Sequence, residues 1–427
     1  MNVSVVGSGY VGTVSAACFA DLGHNVVCID IDAKKVDMIN RGEPPIYEEG
    51  LEKLLKKHAG KKIKATSNYN EAVASTDISF ICVGTPSDAQ GNIDLSIIKA
   101  ASKSLGEAIS LKKNYHVVVV KSTVVPETTE NIVIPIIEKA SGKQVGVDFG
   151  AAMNPEFLRE GKAVYDFNHP DKIVVGAVDQ RSDDLVCSLY SRLDREITHT
   201  NPRTAEMIKY VNNAFLATKI SFANEIGNIC KKMDIDTYQV MEAVGKDIRI
   251  SSQFLNSGAG FGGSCFPKDV KAIIGKAKEL EYKPGLLESV IEINEKQPLL
   301  MIDMLESKIG SLKGKKISVL GLAFKNDTDD IRESRSIPVI KTLIDKGAIV
   351  SAYDPMACGN MRNIFGDIAY YSSTVQALEN TDACLIMTEW EEFKDLCSEF
   401  KVMHRPLVID GRNVIHCKEI EYIGLCW

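Results

Sequence analysis

The sequence predicts an α/β chain in which two doubly wound domains are joined by a central helical domain. Three observations predict it. Short β-branched runs alternate with longer helical patterns through the first 180 residues, as in βαβ units with a parallel sheet. From about residue 203 to about 310 the texture is helical, and after that strand-like runs return.

The first strand-like runs are 2–6, 25–30, 78–84, 116–121, 147–153 and 172–177. A helix-like run from Val11 to Leu22 joins the first two. The centre opens on Asn201-Pro202, a capping residue followed by proline at the first helical position. At 100° per residue, Ile208, Val211, Phe215, Phe222, Ile226 and Ile229 fall within a ~60° arc, which reads as one apolar helical stripe. Lys231 and Lys232 carry the charge expected at its C-terminus. The later strands are Lys316–Leu320, Ile349–Tyr353, Ala383–Met387 and Pro406–Asp410. The expected domains are 1–200, 201–310 and 311–427; the last ten residues fit no pattern.

The chain has 427 residues, enough for about three domains at roughly 150 residues each. Its formal net charge of −7, without a long block of like charge, argues against nucleic acid or a membrane surface as partner. Its apolar runs are far shorter than a membrane span. The N-terminus opens on a β-like run and not on a signal peptide. Eleven cysteines without Cys-x-x-Cys suggest a reducing cytoplasm and no disulfide framework. No His-x-x-x-His and no Cys-x-x-Cys occurs, so no metal site is expected.

Five segments carry possible chemistry. Gly7-Ser-Gly9-Tyr-Val-Gly12 leaves a strand and enters a helix, and a second strand ends at Asp30. In a Rossmann unit such glycines permit a tight turn, close approach of a pyrophosphate and close helix packing, and the acid binds the adenosine ribose. A carboxylate there favours NAD over NADP by repelling a 2′-phosphate, while Lys35 works the other way. A plain tight turn is the alternative. Asn256-Ser-Gly-Ala-Gly-Phe-Gly-Gly-Ser-Cys-Phe-Pro-Lys-Asp269 places Cys265 just ahead of Pro267, at the start of a helix running to about Lys278. A thiol at that position is acidified by the helix dipole, and Lys268 adds positive charge. A flexible glycine hinge with an incidental Cys remains open. Lys209 and Asn213, four apart, share a helix face off the apolar stripe; they could stabilise an oxyanion or merely be solvated. Glu156 and Glu160 follow a strand end, where a base could act or a charged loop begin a helix. Gly321-Leu-Ala-Phe-Lys325, with Arg332 and Arg335, reads as a degenerate phosphate loop or as an ordinary strand–helix turn.

Taken together and in order, the segments at 7–12, Gly84-Thr-Pro86, Lys121-Ser-Thr123, 154–161, Lys209-x-x-x-Asn213-Ala-Phe, 260–269 and Phe324-Lys325 resemble the nucleotide-sugar 6-dehydrogenases of the UDP-glucose/GDP-mannose dehydrogenase family, over nearly the whole chain. Relatives acting on UDP-N-acetylmannosamine usually carry His before the Cys, and GDP-mannose enzymes commonly carry Leu after it. Here Ser264 and Phe266 stand, which favours UDP-glucose as substrate over GDP-mannose or a UDP-N-acetylhexosamine. A non-catalytic sensor of NAD or a nucleotide sugar would need no thiol.

The resemblance implies a four-electron oxidation of a primary alcohol to a carboxylate with two NAD, through a thiohemiacetal and a thioester on Cys265. It gives Glu156 the role of hydrolytic base, makes Lys209 and Asn213 oxyanion donors, and has Asp269 and Thr123 order water or tune Lys209. It places Gly7, Gly9, Val11, Gly12, Asp30, Lys35, Thr85, Thr123, Glu160, Lys268 and Arg332 on the cofactor. It places Glu156, Phe157, Leu158, Arg159, Glu160, Lys209, Asn213, Phe254, Leu255, Asn256, Ser257, Gly258, Gly262, Lys325 and Arg412 on the sugar nucleotide. Arg249 is expected to reach a partner subunit's site, which implies a homodimer through the central helices.

Overall fold

The computed structural model describes residues 1–88 and 91–427. The chain divides into two compact units, Met1–Val211 and Asn212–Trp427, with the boundary inside the long helix Pro202–Lys232.

The first unit holds β1 (Asn2–Val6), β2 (Asn25–Ile29), β3 (Ile63–Thr66), β4 (Ile78–Ile81), β5 (His116–Val120), β6 (Phe149–Met153), β7 (Ile173–Ala177) and β8 (Ile197–Thr200). They form one eight-stranded sheet in the order β3-β2-β1-β4-β5-β6-β7-β8. The inner strands β1, β2 and β4–β7 are mostly Val- and Ile-rich and buried on both faces, as a helix-covered sheet requires. Chain order reverses direction between β1 and β4, so the loops leaving those strands frame the crevice where such folds bind ligands. One feature departs from the expected parallel sheet. β7 runs antiparallel to β6, pairing Ala152 with Ala177 and Met153 with Gly176, so the stretch 154–172 is not a crossover unit. β3 and β8 have no strand-like signature in the sequence. Both are short edge or near-edge strands carrying exposed polar side chains.

The second unit repeats the order in an all-parallel sheet, β11-β10-β9-β12-β13-β14. Its strands are β9 (Lys316–Leu320), β10 (Ile349–Tyr353), β11 (Ala369–Tyr370), β12 (Ala383–Ile386), β13 (Leu407–Asp410) and β14 (Glu421–Gly424). The uninterpreted C-terminus supplies β14. Its last residues are tied down, with the Thr237 hydroxyl donating to the Cys426 carbonyl and Lys231 Nζ to the Trp427 carbonyl.

The long helix begins as expected. Asn201 Oδ1 accepts from the Thr204 N–H, and Pro202 is the first helical residue. Its apolar stripe, however, is only partly core: Ile208 and Ile226 pack against buried clusters. Val211, Phe215, Phe222 and Ile229 are half or more exposed, whereas Glu206, Lys209, Asn213, Ser221 and Asn224 are buried. The helix thus buries a face that mixes these polar groups with Tyr210, Ala214, Ala217 and Ala223, and it leaves several of its large apolar side chains facing outward.

Candidate active site

In the first unit the glycine turn has the geometry a dinucleotide needs. Gly7 has φ +94°, a left-handed conformation. A Cβ on Gly12 would lie 1.8 Å from the Gly7 carbonyl oxygen, so only glycine lets the helix Tyr10–Asp21 start so close to the turn. A Cβ on Gly9 would meet nothing within 4 Å, so the backbone at the N-cap faces open space. Asp30 closes the turn: its Oδ2 accepts from the Ser8 N–H at 2.6 Å and its Oδ1 from the Asp32 N–H at 2.9 Å. The chain's own residues therefore fit NAD, with a helix N-terminus for the pyrophosphate and a fixed carboxylate for the ribose. Lys35 lies half-buried on the adjoining helix Ala33–Asn40. On the other side of the reversal, the Thr85 hydroxyl donates to the Thr123 carbonyl at 2.9 Å, linking the loops after β4 and β5.

Cofactor choice follows from Asp30. Asp30→Ala should narrow the gap in kcat/KM between NAD and NADP, measured as reduced nicotinamide formed with each. Equal kcat/KM for both in the unmutated chain would refute the assignment.

Beyond β6, the chain runs into Asn154-Pro-Glu156. Glu156 Oε1 accepts from Lys209 Nζ at 2.9 Å, with the two side chains only 8% and 4% exposed. Glu156 Oε2 accepts from the Leu158 N–H. Burial opposes ionisation of Glu156, but Lys209, the Leu158 N–H and nearby Lys121 outweigh it and hold the carboxyl below its usual range. Burial pushes Lys121 down to about 8. Its ammonium is held by Asn154 and Tyr190. Lys209 is thus not the solvated surface lysine that the sequence leaves open. Its ammonium also lies 5.5 Å from the centre of the Phe157 ring. Arg159 points outward and forks onto Asp166. Glu160 is half-buried.

Two buried carboxylates with no signal in the sequence brace the backbone around this pair, Glu48 at the 156–161 loop and Glu206 at the 127–129 turn. Glu48 is buried and accepts from the N–H groups of Gly161 and Ala163 and from the Tyr10 hydroxyl, which pins the 156–161 loop to the helix of the glycine turn. Glu206, one turn before Lys209, accepts from the N–H groups of Glu127 and Thr129 and from the Thr129 hydroxyl. Burial raises its carboxyl to about 7.

In the second unit, Cys265 sits at the N-cap of the helix Phe266–Glu279, with Pro267 in the first turn. Of the eleven cysteines, all free, Cys265 alone is exposed. The glycines before it are no hinge. A Cβ on Gly258 would lie 2.6 Å from the Gly411 carbonyl oxygen, and one on Gly262 2.4 Å from that of Glu333. The loop is also bonded through Asn294 to both the N–H and the C=O of Phe261. Lys268 does not simply add positive charge beside the thiol: its Nζ pairs with Asp269 Oδ1 at 2.7 Å, which neutralises it. Asp269 is buried, and its other oxygen accepts from Asn213 Nδ2 at 2.6 Å.

Arg412, at the carboxyl end of β13, donates to the carbonyls of Gly260 and Met387, which places it at the same glycine loop. Ser257 is buried and accepts at its carbonyl from the Tyr238 hydroxyl, while Asn256 is exposed. Leu255 packs in the core with Ala223 and Met241, so only its backbone can face a ligand. Phe254 holds φ +61° and stacks edge-on to Phe266. Lys325 is half-buried beside the Phe324 ring. Arg332 is exposed and bidentate on Asp330. Arg249 is exposed and paired with Asp247. The turn after β9 does not cradle phosphate as a Gly-rich loop does, because Asp354 Oδ2 already accepts from the N–H groups of Leu322 and Ala323.

Comparison with known proteins agrees with this geometry. The UDP-glucose/GDP-mannose dehydrogenase family matches over its NAD binding domain at residues 1–194, its central domain at 203–296 and its UDP binding domain at 318–417. The UDP-glucose 6-dehydrogenase AglM of Haloferax volcanii is 49% identical over 431 residues, covering 100% of both chains. The UDP-glucose 6-dehydrogenase TuaD of Bacillus subtilis is 43% identical, covering 99% of this chain and 91% of its own. A solved UDP-glucose dehydrogenase of Pyrobaculum islandicum superposes with a TM-score of 0.94 at 42% identity, covering 100% of this chain and 98% of that one. With a glycine turn built for NAD, a buried Lys–Glu pair and an exposed thiol at a helix N-terminus, the chain belongs to the UDP-glucose/GDP-mannose dehydrogenase family of NAD-dependent oxidoreductases.

Proposed function

We propose that the chain oxidises the C6 alcohol of UDP-glucose to the carboxylate, in two two-electron steps. The observation that carries the reading is Cys265, the exposed thiol at a helix N-terminus, in a chain 49% identical to a UDP-glucose 6-dehydrogenase. Bound at the Gly7–Gly12 turn, NAD supplies the hydride acceptor, one molecule for each step. Cys265 adds to the C6 aldehyde to give a thiohemiacetal, and the second oxidation leaves a thioester. Glu156 takes a proton from the water that cleaves it, returning the thiol and releasing the acid. Lys209 and Asn213 stabilise the anionic oxygens, each such donor being worth on the order of 3 kcal/mol. Asp269 orients the Asn213 amide, and Thr123 orders water. Lys325 and Arg412 serve the nucleotide sugar, and Lys268 and Arg332 the cofactor. The division into 1–200, 201–310 and 311–427 follows these tasks.

Exhaustive conversion of limiting UDP-glucose should release about two NADH per sugar, since each hydride needs its own acceptor. A ratio near one, with free aldehyde accumulating, would exclude the thioester route.

We also assign the apolar face of the long helix to a second copy of the chain. Phe215, Phe222 and Ile229 along it and Met233 just beyond its end are each half or more exposed, and Ile248, next to Arg249, is 95% exposed. An apolar face of this kind is a normal subunit interface and a poor water-facing surface. Phe222→Asp should halve the mass measured by light scattering, and an unmutated chain that is already monomeric would remove the assignment. Eleven free thiols support a reducing, cytoplasmic setting, and no helix among the described residues is long and apolar enough to cross a membrane.

A further inference from the structure

Away from the residues assigned to the reaction, the first unit brings together three side chains that zinc takes as ligands. Asp183 and Cys187 stand four apart on the helix Gln180–Ser188 and so share a face. His199 stands on β8, the edge strand, opposite Val175 of β7. Asp183 Oδ2 lies 2.7 Å from His199 Nδ1 and 3.7 Å from Cys187 Sγ, and Sγ lies 4.0 Å from Nδ1. The ligand atoms of all three fall within 4.8 Å of one another.

Zinc bonds of about 2.0–2.2 Å to N or O and about 2.3 Å to S put tetrahedral ligand atoms about 3.3–3.6 Å apart. The three separations bracket that range, so small side-chain adjustments seat an ion on one face of a tetrahedron. The surroundings leave room for the fourth ligand. The His199 side chain is 58% exposed, while that of Asp183 is 11% exposed and fixes the inner corner. One thiolate, one imidazole and one carboxylate form a borderline donor set that suits zinc, and calcium or magnesium poorly.

We propose that Asp183, Cys187 and His199 bind one zinc ion, with water completing the tetrahedron, and that the ion clips the edge strand β8 to the helix before it. The clip closes the excursion from Leu189 to Glu196. Its ligand His199 stands three residues ahead of Pro202, where the long helix that carries Glu206 and Lys209 begins. This site was not legible as a linear motif, since its ligands come from a helix and a strand and not from a Cys-x-x-Cys or His-x-x-x-His spacing.

The test uses the full chain, freed of metal with a chelator, and cobalt(II) or zinc(II) chloride alone as probe. Cys265→Ser removes the one exposed thiol, which would otherwise compete for the metal. In that background cobalt should bind at one equivalent per chain, with a thiolate-to-cobalt charge-transfer band. Cys187→Ser should abolish the band. Altering a partner of a metal ligand costs 10–100-fold in affinity, so losing a ligand, in His199→Ala, should weaken binding by about 100-fold or more. Zinc should raise the thermal midpoint of the unmutated chain by a few °C at saturating metal, and should not do so in either variant. His199 is exposed, so its variant folds even where Cys187→Ser does not. No charge-transfer band in the Cys265→Ser chain, or a stoichiometry and affinity unchanged by His199→Ala, would overturn the site and leave only a hydrogen-bonded cluster.

Discussion

Glu156→Gln should give a fast burst of NADH from UDP-glucose and NAD, followed by a steady state slower by about 10²–10⁴-fold, the usual worth of a general base. Glutamine keeps the shape and still offers Lys209 an oxygen, but it cannot take a proton. The role is needed only after the thioester exists, so hydride transfer should suffer less than hydrolysis. The carboxylate is suited to that role. Lys209 at 2.9 Å and the Leu158 N–H hold its carboxyl below the usual range and so favour the ionised form a base needs. Denatured protein from the burst should carry the mass of a sugar nucleotide, and Cys265→Ala in the same background should remove it. An adduct on another residue would displace Cys265 as nucleophile. Normal turnover with no adduct would hand the water to another group, with Asp269 the first to examine.

The same ion pair sets a pH dependence of stability. A carboxyl whose folded pKa lies below its unfolded value stabilises the fold above the unfolded pKa, near 4.3, and loses that contribution as pH falls through the folded one. Acid unfolding of the unmutated chain should therefore be steeper below pH ~4 than that of Glu156→Gln.

What was legible in the sequence was whatever depends on neighbours in the chain. The turn Gly7–Gly12, Asp30 at the end of β2, the Asn201 cap and Cys265 ahead of Pro267 all rest on spacings of a few to about twenty residues. Partners far apart in sequence were not legible. Glu48 reaches Gly161 across 113 residues and Glu206 reaches Glu127 across 79, and a buried carboxylate that caps distant N–H groups looks like any surface Glu in one dimension. What covers the long helix was not legible for a related reason. Periodicity finds an apolar stripe but not what covers it, and here Phe215 and Phe222 face outward while Lys209 and Asn213 are buried. The antiparallel β7 was hidden because Ile173–Ala177 reads the same in either direction.

Asp269→Ala should cost about 3 kcal/mol of stability and most of the NAD-reducing activity. Breaking one side of a buried ion pair typically costs ~3–5 kcal/mol, because the partner charge is left without compensation. Here the lower end applies, since the Lys268 side chain is 20% exposed and can turn toward water. The activity loss has a separate cause. Asp269 Oδ2 holds the Asn213 amide at 2.6 Å, and without it an oxyanion donor loses its fixed direction. Asp269→Asn divides the two effects: it keeps an acceptor for Asn213 and gives up the ion pair. It should retain more activity than Asp269→Ala while remaining destabilised. Replacing both members, Lys268→Met with Asp269→Leu, should recover stability relative to Asp269→Ala, because no charge is then stranded, yet remain inactive. Urea unfolding and NADH formation on the same four proteins decide it. A loss below about 1 kcal/mol in Asp269→Ala would show that the pair is screened as a surface pair is, and that Asp269 is not a structural anchor of the site.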